Sequence, residues 1–163
     1  MMKIVNNDTI LELGKQAFTS ERKRVNMNLH EVADDPLQRM INVLEPGTYL
    51  CPHMHKNPDK REIFVILRGS LLVCLFDDNG KVKSHVVLGR DEGNYIIEIP
   101  PATWHSIIPL AVHTAVFECK DGPYNPDDDK IFAPWAPAEN SPGTLEFNKK
   151  LLKGLGLVFP DLF

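Results

Sequence analysis

The sequence predicts a mainly β protein, a barrel or sandwich of short strands with one helix at each end. Two observations carry this prediction. Between residues 37 and 120, short runs rich in β-branched and aromatic residues alternate with the turn signals EPG, NPDK, RGS, DDNG, GRDEG and PPAT. No helical pattern interrupts these runs, and about six to eight strands arranged in this way are typical of a barrel or sandwich.

The N-terminal helix is expected over about residues 8–18. Thr9 and Glu12 have the spacing of a capping box, and the apolar residues around them recur at helical spacing. The barrel is expected over about residues 36–120. Within it, DDNG lies between LLVCLF and KVKSHVVL and predicts a hairpin whose Asn-Gly pair forms a type I′ turn.

Residues 121–163 have a different character. The Pro-rich segment, residues 121–140, carries Tyr124, Phe132 and Trp135. A free linker is rarely so aromatic, so we expect this segment to be ordered and to pack on the barrel or on a second subunit. The stretch SPGTLEFNKKLLKGLG then predicts a helix with Ser141 as N-cap and Gly154 as C-cap. No linker divides the chain, so a single domain is expected over residues 1–163.

Composition excludes several classes of function. The net charge is −4 and no Lys/Arg cluster stands out, so nucleic-acid binding is not expected. The N-terminus has no apolar core of a signal peptide, and the longest apolar run, Leu71–Phe76, is too short to cross a membrane. The three cysteines are widely spaced, which indicates a reducing, cytoplasmic setting rather than a disulfide scaffold.

Four residues have the pattern of a metal site. His53 and His55 lie two apart, so in a strand both side chains face the same side. Glu62 begins an otherwise apolar strand, where a carboxylate is costly unless a cation pairs with it. His105 follows a strand and a Pro-Pro turn that can direct it back into the barrel. Together these side chains predict one divalent transition metal, with Fe, Zn, Ni and Mn left open.

Further polar residues are candidates for binding a ligand or moving a proton. Asn26, Asn28 and His30 share one face if extended, and they either line a polar pocket or face water. Arg39 and Asn42 have opposite parity on one strand, so only one can point inward. We take Arg39, because a guanidinium can bind a carboxylate or phosphate through two hydrogen bonds.

The last predicted strand and the segment after it add three more candidates. Glu118 and Lys120 alternate on one face, either as a pocket acid and base or as a surface ion pair. Glu118 and His30 are the candidate general bases. Tyr124, in the Pro-rich segment, is a third candidate for substrate binding beside Arg39 and His30.

The histidines and their flanking glycines resemble the two motifs of the cupin superfamily. The first motif is matched by Gly47, His53, His55, Glu62 and Gly69. The second is matched more loosely by Gly93, Pro100 and His105. The resemblance implies a cupin-type double-stranded β-helix, or jelly-roll barrel, with the short terminal helices outside it.

A closer resemblance spans about residues 20–140. The stretches RVNMNLH, QRMINVLEPGTYLCPHMH, ATWHSIIPL, FECKDGPY and FAPWAPAE are similar to the WbuC family of cupin-fold metalloproteins. That family occurs in bacterial O-antigen and surface-polysaccharide gene clusters. The resemblance therefore implies a conserved-barrel metalloprotein. Because four protein ligands leave coordination positions open, we expect a pocket for a small sugar-like or anionic ligand beside the metal.

Three functions remain open at the level of sequence. The first is a metal-dependent enzyme of the isomerase or epimerase type acting on a sugar or sugar derivative. The second is an iron-dependent dioxygenase, since three His and one Glu leave positions open for O2 and substrate. The third is a non-catalytic cupin that binds a small ligand. A homodimer is expected, because cupin sheets often pair and both faces of the strand 63–67 are apolar.

Overall fold

Two five-stranded antiparallel sheets and two helices make up the protein in this computed structural model, which describes residues 2–160. The helices are α1 (Asn7–Thr19) and α2 (Thr144–Gly154). The strands are, in chain order, β1 (Arg24–Asn28), β2 (Leu37–Leu44), β3 (His53–Met54), β4 (Glu62–Arg68), β5 (Ser70–Phe76), β6 (Val82–Gly89), β7 (Ile96–Ile99), β8 (His105–Pro109), β9 (Thr114–Asp121) and β10 (Ile131–Phe132). Neither helix is both long and apolar enough to cross a membrane.

The strands form the jelly-roll barrel that the sequence predicts. The first sheet has the order β1-β2-β9-β4-β7, and the second has the order β10-β3-β8-β5-β6. Apolar side chains of both sheets fill the space between them, including Phe64 and Val116 from the first sheet and Val73 and Ile107 from the second. Beyond this core the inner face of the first sheet becomes polar, with Gln38, Glu62 and Lys120 buried there.

Helix α1 covers the β1–β2 side of the outer face of the first sheet. Its residues Ile10 and Ala17 pack against Ile41 and Val43 of β2. The cap differs from the prediction, because the side chain of Asn6 accepts the backbone N–H of Thr9 at 3.0 Å and the helix begins at residue 7. Thr9 is therefore a helical residue rather than the cap.

Helix α2 begins later than the sequence indicates. Its N-cap is Gly143, in the left-handed conformation and without a side-chain hydrogen bond, so Ser141 is not the cap. Ser141 instead closes the preceding turn through its hydroxyl, which donates to the carbonyl oxygen of Ala138 at 2.7 Å. Gly154 is the last helical residue and Leu155 is the C-cap.

The hairpin between β5 and β6 is present, but its turn is not type I′. That turn needs a positive φ at both central residues, and of Asn79 and Gly80 only Gly80 has one, at 82°. The N–H of Gly80 donates to the carbonyl oxygen of Asp77 at 3.0 Å, and the Asp77 side chain accepts the N–H groups of Asn79 and Lys81 at 2.9 Å. A longer loop with glycine in the left-handed position results.

The Pro-rich segment is ordered and packs on the barrel. Strand β10 pairs with β3, and the ring of Trp135 lies 5.1 Å from that of Phe76 and 6.2 Å from that of Trp104. The aromatic residues contribute unequally, because Tyr124 and Phe132 remain 42% and 55% exposed. Trp135 is thus the aromatic anchor of this segment.

Replacing Gly80 tests how closely Trp135 packs on the hairpin. A Cβ at Gly80 would lie 2.6 Å from the Trp135 ring, whereas a Cβ at Gly93 would meet nothing within 4 Å. Both glycines have a positive φ, so Gly93→Ala should lower the free energy of unfolding by about 1–2 kcal/mol through the backbone alone. Gly80→Ala should lower it by a further ~1–3 kcal/mol through overpacking. Urea unfolding measures both, and equal losses would contradict the contact.

Candidate metal centre and its cavity

Four buried side chains from both sheets meet at one point. His53 opens β3 and is paired in register with His105, which opens β8. His55 follows β3 directly, and Glu62 is the first residue of β4 in the opposite sheet. One ligand atom from each of the four lies within 4.8 Å of every other. The structure therefore brings together the residues that the sequence pattern selects.

Backbone carbonyl groups fix the orientation of the three imidazole rings. Nδ1 of His53 lies 3.0 Å from the carbonyl oxygen of Cys51, and Nδ1 of His105 lies 2.9 Å from that of Thr103. Nδ1 of His55 lies 2.5 Å from the carbonyl oxygen of Asp129. A carbonyl oxygen only accepts, so each Nδ1 carries the proton and each Nε2 presents a lone pair.

Among residues 2–160, no hydrogen-bond donor meets the lone pair of any of the three Nε2 atoms. Those of His53 and His55 are buried without a hydrogen-bond partner. Nε2 of His105 lies 2.9 Å from Oε2 of Glu62, and with its proton on Nδ1 the neutral ring presents a lone pair to a carboxylate. A divalent cation between these atoms removes the repulsion. Three imidazole nitrogens and one carboxylate oxygen therefore fit a divalent transition metal.

The pKa of His53 favours its metal-binding form. Burial, followed by the charge of Lys130, holds the pKa of His53 well below its usual value. The ring of His53 is therefore neutral, and metal binding at its Nε2 displaces no proton.

A second carboxyl group, Glu118, lies beside Glu62. Burial, and then the charge of Glu62, raise the pKa of Glu118 to about 8. The side-chain amide of Asn42 donates a short hydrogen bond to Oε2 of Glu118. Glu118 therefore holds a proton at neutral pH, next to the four-residue cluster. Of the two alternatives that the sequence left open, a pocket residue or a surface ion pair, the structure places Glu118 in the cavity, and its role as an acid or base stays a prediction.

Asp129 connects the Pro-rich segment to the site through charge. Its carboxylate accepts from Nζ of Lys60 at 2.8 Å and from Nζ of Lys120 at 2.7 Å, and all three side chains are buried. Burial works against ionisation of Asp129, but Lys120 and Lys60 outweigh it and lower its pKa. The main chain of the same residue holds His55, so this ion triad also positions a candidate metal ligand.

A cavity of about 470 Å³ opens beside the cluster, between the inner face of the first sheet and the Pro-rich segment. At the end away from the cluster, Glu139 pairs with Arg24 through two hydrogen bonds of 2.9 and 2.8 Å and with Arg22 at 3.2 Å. The polar residues that line the cavity are Arg22, Arg24, Asn26, Asn28, His30, Gln38, Asn42, His53, Glu118, Lys120, Tyr124, Asp129, Lys130 and Glu139.

Arg39 is a correction to the sequence-based prediction. Positions 38, 40, 42 and 44 of β2 line the cavity, so Asn42 points inward and Arg39 faces the opposite side. There the guanidinium donates to the carboxylate of Asp35 at 2.8 Å. Arg39 is half-exposed outside the cavity and cannot bind a ligand in it.

His30 and Tyr124 do line the cavity, as do Asn26 and Asn28. Nδ1 of His30 lies 3.0 Å from both the backbone N and the backbone O of Arg39, and the N–H of Arg39 points at it, where a proton on Nδ1 would meet that N–H. Nδ1 is therefore the acceptor, and the proton of the neutral ring lies on Nε2. His30 is suited to donate a hydrogen bond to a ligand rather than to act as a base.

Three lysines and one aspartate lie near the cluster in positions that sequence reasoning missed or left open. Lys60, Asp129 and Lys130 occur in polar turn stretches, NPDK and DDDK, that look like solvated loops. The only signal was the Pro-rich segment itself, because its aromatic content indicated that it returns to the barrel. Lys120 was noted as a possible pocket base, and in the structure Asp129 neutralises it.

Comparison with known structures agrees with this architecture. The capsular polysaccharide assembling protein CapF from Staphylococcus aureus aligns with a TM-score of 0.54 and 19% identity over 70% of this chain and 32% of CapF. Oxalate decarboxylase from Bacillus subtilis aligns with a TM-score of 0.50 and 20% identity over 83% of this chain and 32% of that chain. A cupin superfamily protein from Desulfitobacterium hafniense aligns with a TM-score of 0.51 and 14% identity, covering 74% and 97% of the two chains.

Fold and site together define a cupin-fold protein with a candidate metal centre of three histidines and one glutamate. The chain belongs to the family described as "Domain of unknown function (DUF6016)", which it matches over residues 5–88. No curated protein matches it in sequence. The chain spans about a third of the length of the CapF chains it resembles.

Removing Glu62 tests the metal centre. Glu62→Ala should weaken the binding of Zn²⁺ or Ni²⁺ by at least about 100-fold, because it deletes the only carboxylate of the cluster. Since a metal that binds the native state stabilises it by mass action, the variant should also lose the rise in melting temperature that metal gives the wild type. Calorimetric titration and thermal unfolding measure the two effects.

The matched control is Glu98→Ala, which removes an exposed carboxylate from the neighbouring strand β7. It should bind metal as the wild type does. Identical melting temperatures of the wild type with added metal and with a chelator would refute the coupling of metal binding to stability.

Proposed function

We propose that the protein is a metal-dependent enzyme of the isomerase or epimerase type that acts on a sugar or sugar derivative in bacterial surface-polysaccharide biosynthesis. The observation that supports it is the placement of Glu118, which lies in the same cavity as His53 and is held by the amide of Asn42. A proton-carrying group beside a metal cluster, at the wall of a polar cavity, suits reactions that move a proton on the carbon next to a carbonyl group.

The residues of the chain have distinct roles in this reaction. Glu118 in its ionised form takes the proton from the carbon next to the carbonyl, and in its protonated form returns it. His30 donates its Nε2–H to a substrate oxygen, and Asn26 and Asn28 offer amide groups to hydroxyls. His53, His55, Glu62 and His105 would hold the divalent ion, which when bound would polarise a substrate oxygen.

The polysaccharide context rests on resemblance. The sequence stretches described above are similar to the WbuC family of cupin-fold metalloproteins, which occurs in O-antigen gene clusters. CapF, named as a capsular polysaccharide assembling protein, shares the fold at 19% identity. Because unrelated functions share folds, this similarity favours the sugar substrate only by analogy. The three cysteines are free, which fits the cytoplasmic location of sugar-precursor enzymes.

An iron-dependent dioxygenase is the second candidate. The observation that favours it is the ligand set itself, since three imidazoles and one carboxylate leave coordination positions open for O2 and a substrate. A non-catalytic ligand-binding cupin is the third. Elemental analysis of anaerobically purified protein, with oxygen uptake measured on adding sugars, distinguishes the dioxygenase from the other two.

Proton exchange on the substrate tests the proposed reaction. We expect metal-loaded protein to incorporate deuterium from D2O into at least one member of a panel of nucleotide sugars and aldose or ketose phosphates, detected by ¹H NMR. Glu118→Gln should slow this exchange by about 100-fold or more while metal content stays unchanged. Glu98→Gln, an exposed control, should have no effect. If Glu118→Gln exchanges deuterium as fast as the wild type, Glu118 is not the base. If the wild type incorporates deuterium into none of the sugars, the isomerase class is contradicted.

We further propose a homodimer formed through the part of the outer face of the first sheet around β4 and β7, beside the part that α1 covers. Val65 is paired in register with Phe117 on one side and Ile96 on the other, so these apolar side chains form one outward row. Ile96 is 63% exposed, and burying such a row favours association.

Light scattering should therefore give twice the mass of one chain. Ile96→Asp should convert the dimer to monomer, because dimer formation would then bury a charge. Val112→Asp, at an exposed apolar position outside β4, β7 and β9, should leave the dimer intact. A wild type of single-chain mass would exclude the dimer.

A further inference from the structure

Lys130 is a half-buried cation that lines the cavity at the end occupied by the metal cluster. It immediately precedes β10, whose residues Ile131 and Phe132 pair with Met54 and His53. This register sets the backbone of Lys130 beside the end of β3, where the histidine ligands begin.

The other cations that line the cavity already have anionic partners. Lys120 shares Asp129 with Lys60, and Arg22 and Arg24 share Glu139. Within residues 2–160, no hydrogen bond or ion pair engages the ammonium group of Lys130. Lys130 therefore has hydrogen-bond donors that no group among the described residues accepts.

At the end of the cavity beside the metal cluster, positive charges outnumber negative ones. Lys60, Lys120 and Lys130 are cationic, and a bound divalent ion adds two more positive charges. Glu62 and Asp129 supply only two negative charges, and ionisation of Glu118 would supply a third. With the metal in place, this end of the cavity therefore carries a positive excess under either protonation state of Glu118. Such an excess in a partly buried site attracts and binds an anion.

The residues that line the middle of the cavity indicate the chemistry of the remainder of the ligand. The amide of Asn26 donates to Oδ1 of Asn28 at 2.7 Å, which leaves Oδ1 and one N–H of Asn26 and both N–H groups of Asn28 available. With the Nε2–H of His30 they present both donors and acceptors without net charge. Hydroxyl groups, which donate and accept, match such a surface.

We propose that Lys130 binds an oxyanion, carboxylate or phosphate, of a polyhydroxylated substrate next to the metal, and that Asn26, Asn28 and His30 contact its hydroxyl groups. This assignment rests on the proposed function and narrows it to acidic or phosphorylated sugars. The opposite end of the cavity is less suited to the anion. Its two guanidinium groups share Glu139, and Arg22 is 59% exposed, so solvent screens its charge.

Calorimetric titration of protein reconstituted with Zn²⁺ tests the assignment. The probes are gluconate, glucose 6-phosphate, inorganic phosphate and the neutral polyol glucitol. Metal occupancy is measured in every sample. The variants are Lys130→Met, which keeps the length of the side chain, Lys130→Arg, which keeps the charge, and Arg22→Met at the far end. Lys83→Met, at an exposed position on β6, controls for the loss of one positive charge.

We expect the wild type to bind gluconate or glucose 6-phosphate more tightly than glucitol. Lys130→Met should weaken that binding by about tenfold or more, since it removes a charge-assisted hydrogen bond. Lys130→Arg should retain most of the affinity, and Lys83→Met all of it. Preference for gluconate identifies a carboxylate as the anion, preference for glucose 6-phosphate a phosphate, and both support the subsite. Zinc occupancy should be the same in all variants.

Three results would overturn the assignment. If Lys130→Met binds the anion as tightly as the wild type, Lys130 does not bind it. If Arg22→Met loses the affinity instead, the anion binds at the far end of the cavity. Equal affinity for glucitol and gluconate excludes an anionic substrate class. In these cases the protein still takes up zinc, so the metal-dependent function stands. Failure of the wild type to take up zinc, by contrast, refutes the proposed function itself.

Discussion

A neutral imidazole has one lone pair, and in this protein three backbone carbonyl groups decide which nitrogen of each histidine presents it. The carbonyls belong to Cys51, Thr103 and Asp129, in three separate parts of the chain. With the Nδ1 protons held there, all three Nε2 atoms converge on Glu62, which comes from the other sheet. The cluster therefore exists only when both sheets and the Pro-rich segment have taken their places.

The buried ion triad of Lys60, Asp129 and Lys120 holds the Pro-rich segment against the barrel. Each lysine is neutralised by the same carboxylate, and removing that carboxylate would leave two buried ammonium groups without an anionic partner. The main-chain oxygen of Asp129 holds His55, so electrostatic pairing of the side chain and orientation of a metal ligand depend on one residue. Further along the segment, Trp135 packs against Phe76 and Trp104 and gives a second, apolar attachment.

Strand periodicity predicted the barrel and the convergence of the four ligands, because side-chain direction within a strand follows from position alone. The choice of Arg39 over Asn42, which was made on the chemistry of the guanidinium, was wrong. The positions of Arg39 and Asn42 along the strand show that they face opposite sides, but not which side faces the interior. The usual rule that apolar residues point inward gives the wrong side for β2. There Ile41 and Val43 face outward, where α1 covers them, while the inner face borders a polar cavity.

Other features lay beyond the reach of periodicity for a different reason. In the Pro-rich segment the side-chain directions of Asp129 and Lys130 are set by contacts with distant strands, and no local repeat encodes them. The helix caps depended on single hydrogen bonds, such as that from Thr9 to Asn6, which shift a boundary by a residue or more.

The Pro-rich segment supplies both one wall of the cavity and the carbonyl group that orients His55. The shape of the cavity and the direction of a candidate metal ligand are consequently not independent traits in this architecture. Residues that are exchanged in the segment to reshape the cavity also move the main chain that fixes the ring of His55. Replacing the segment would therefore alter both properties at once.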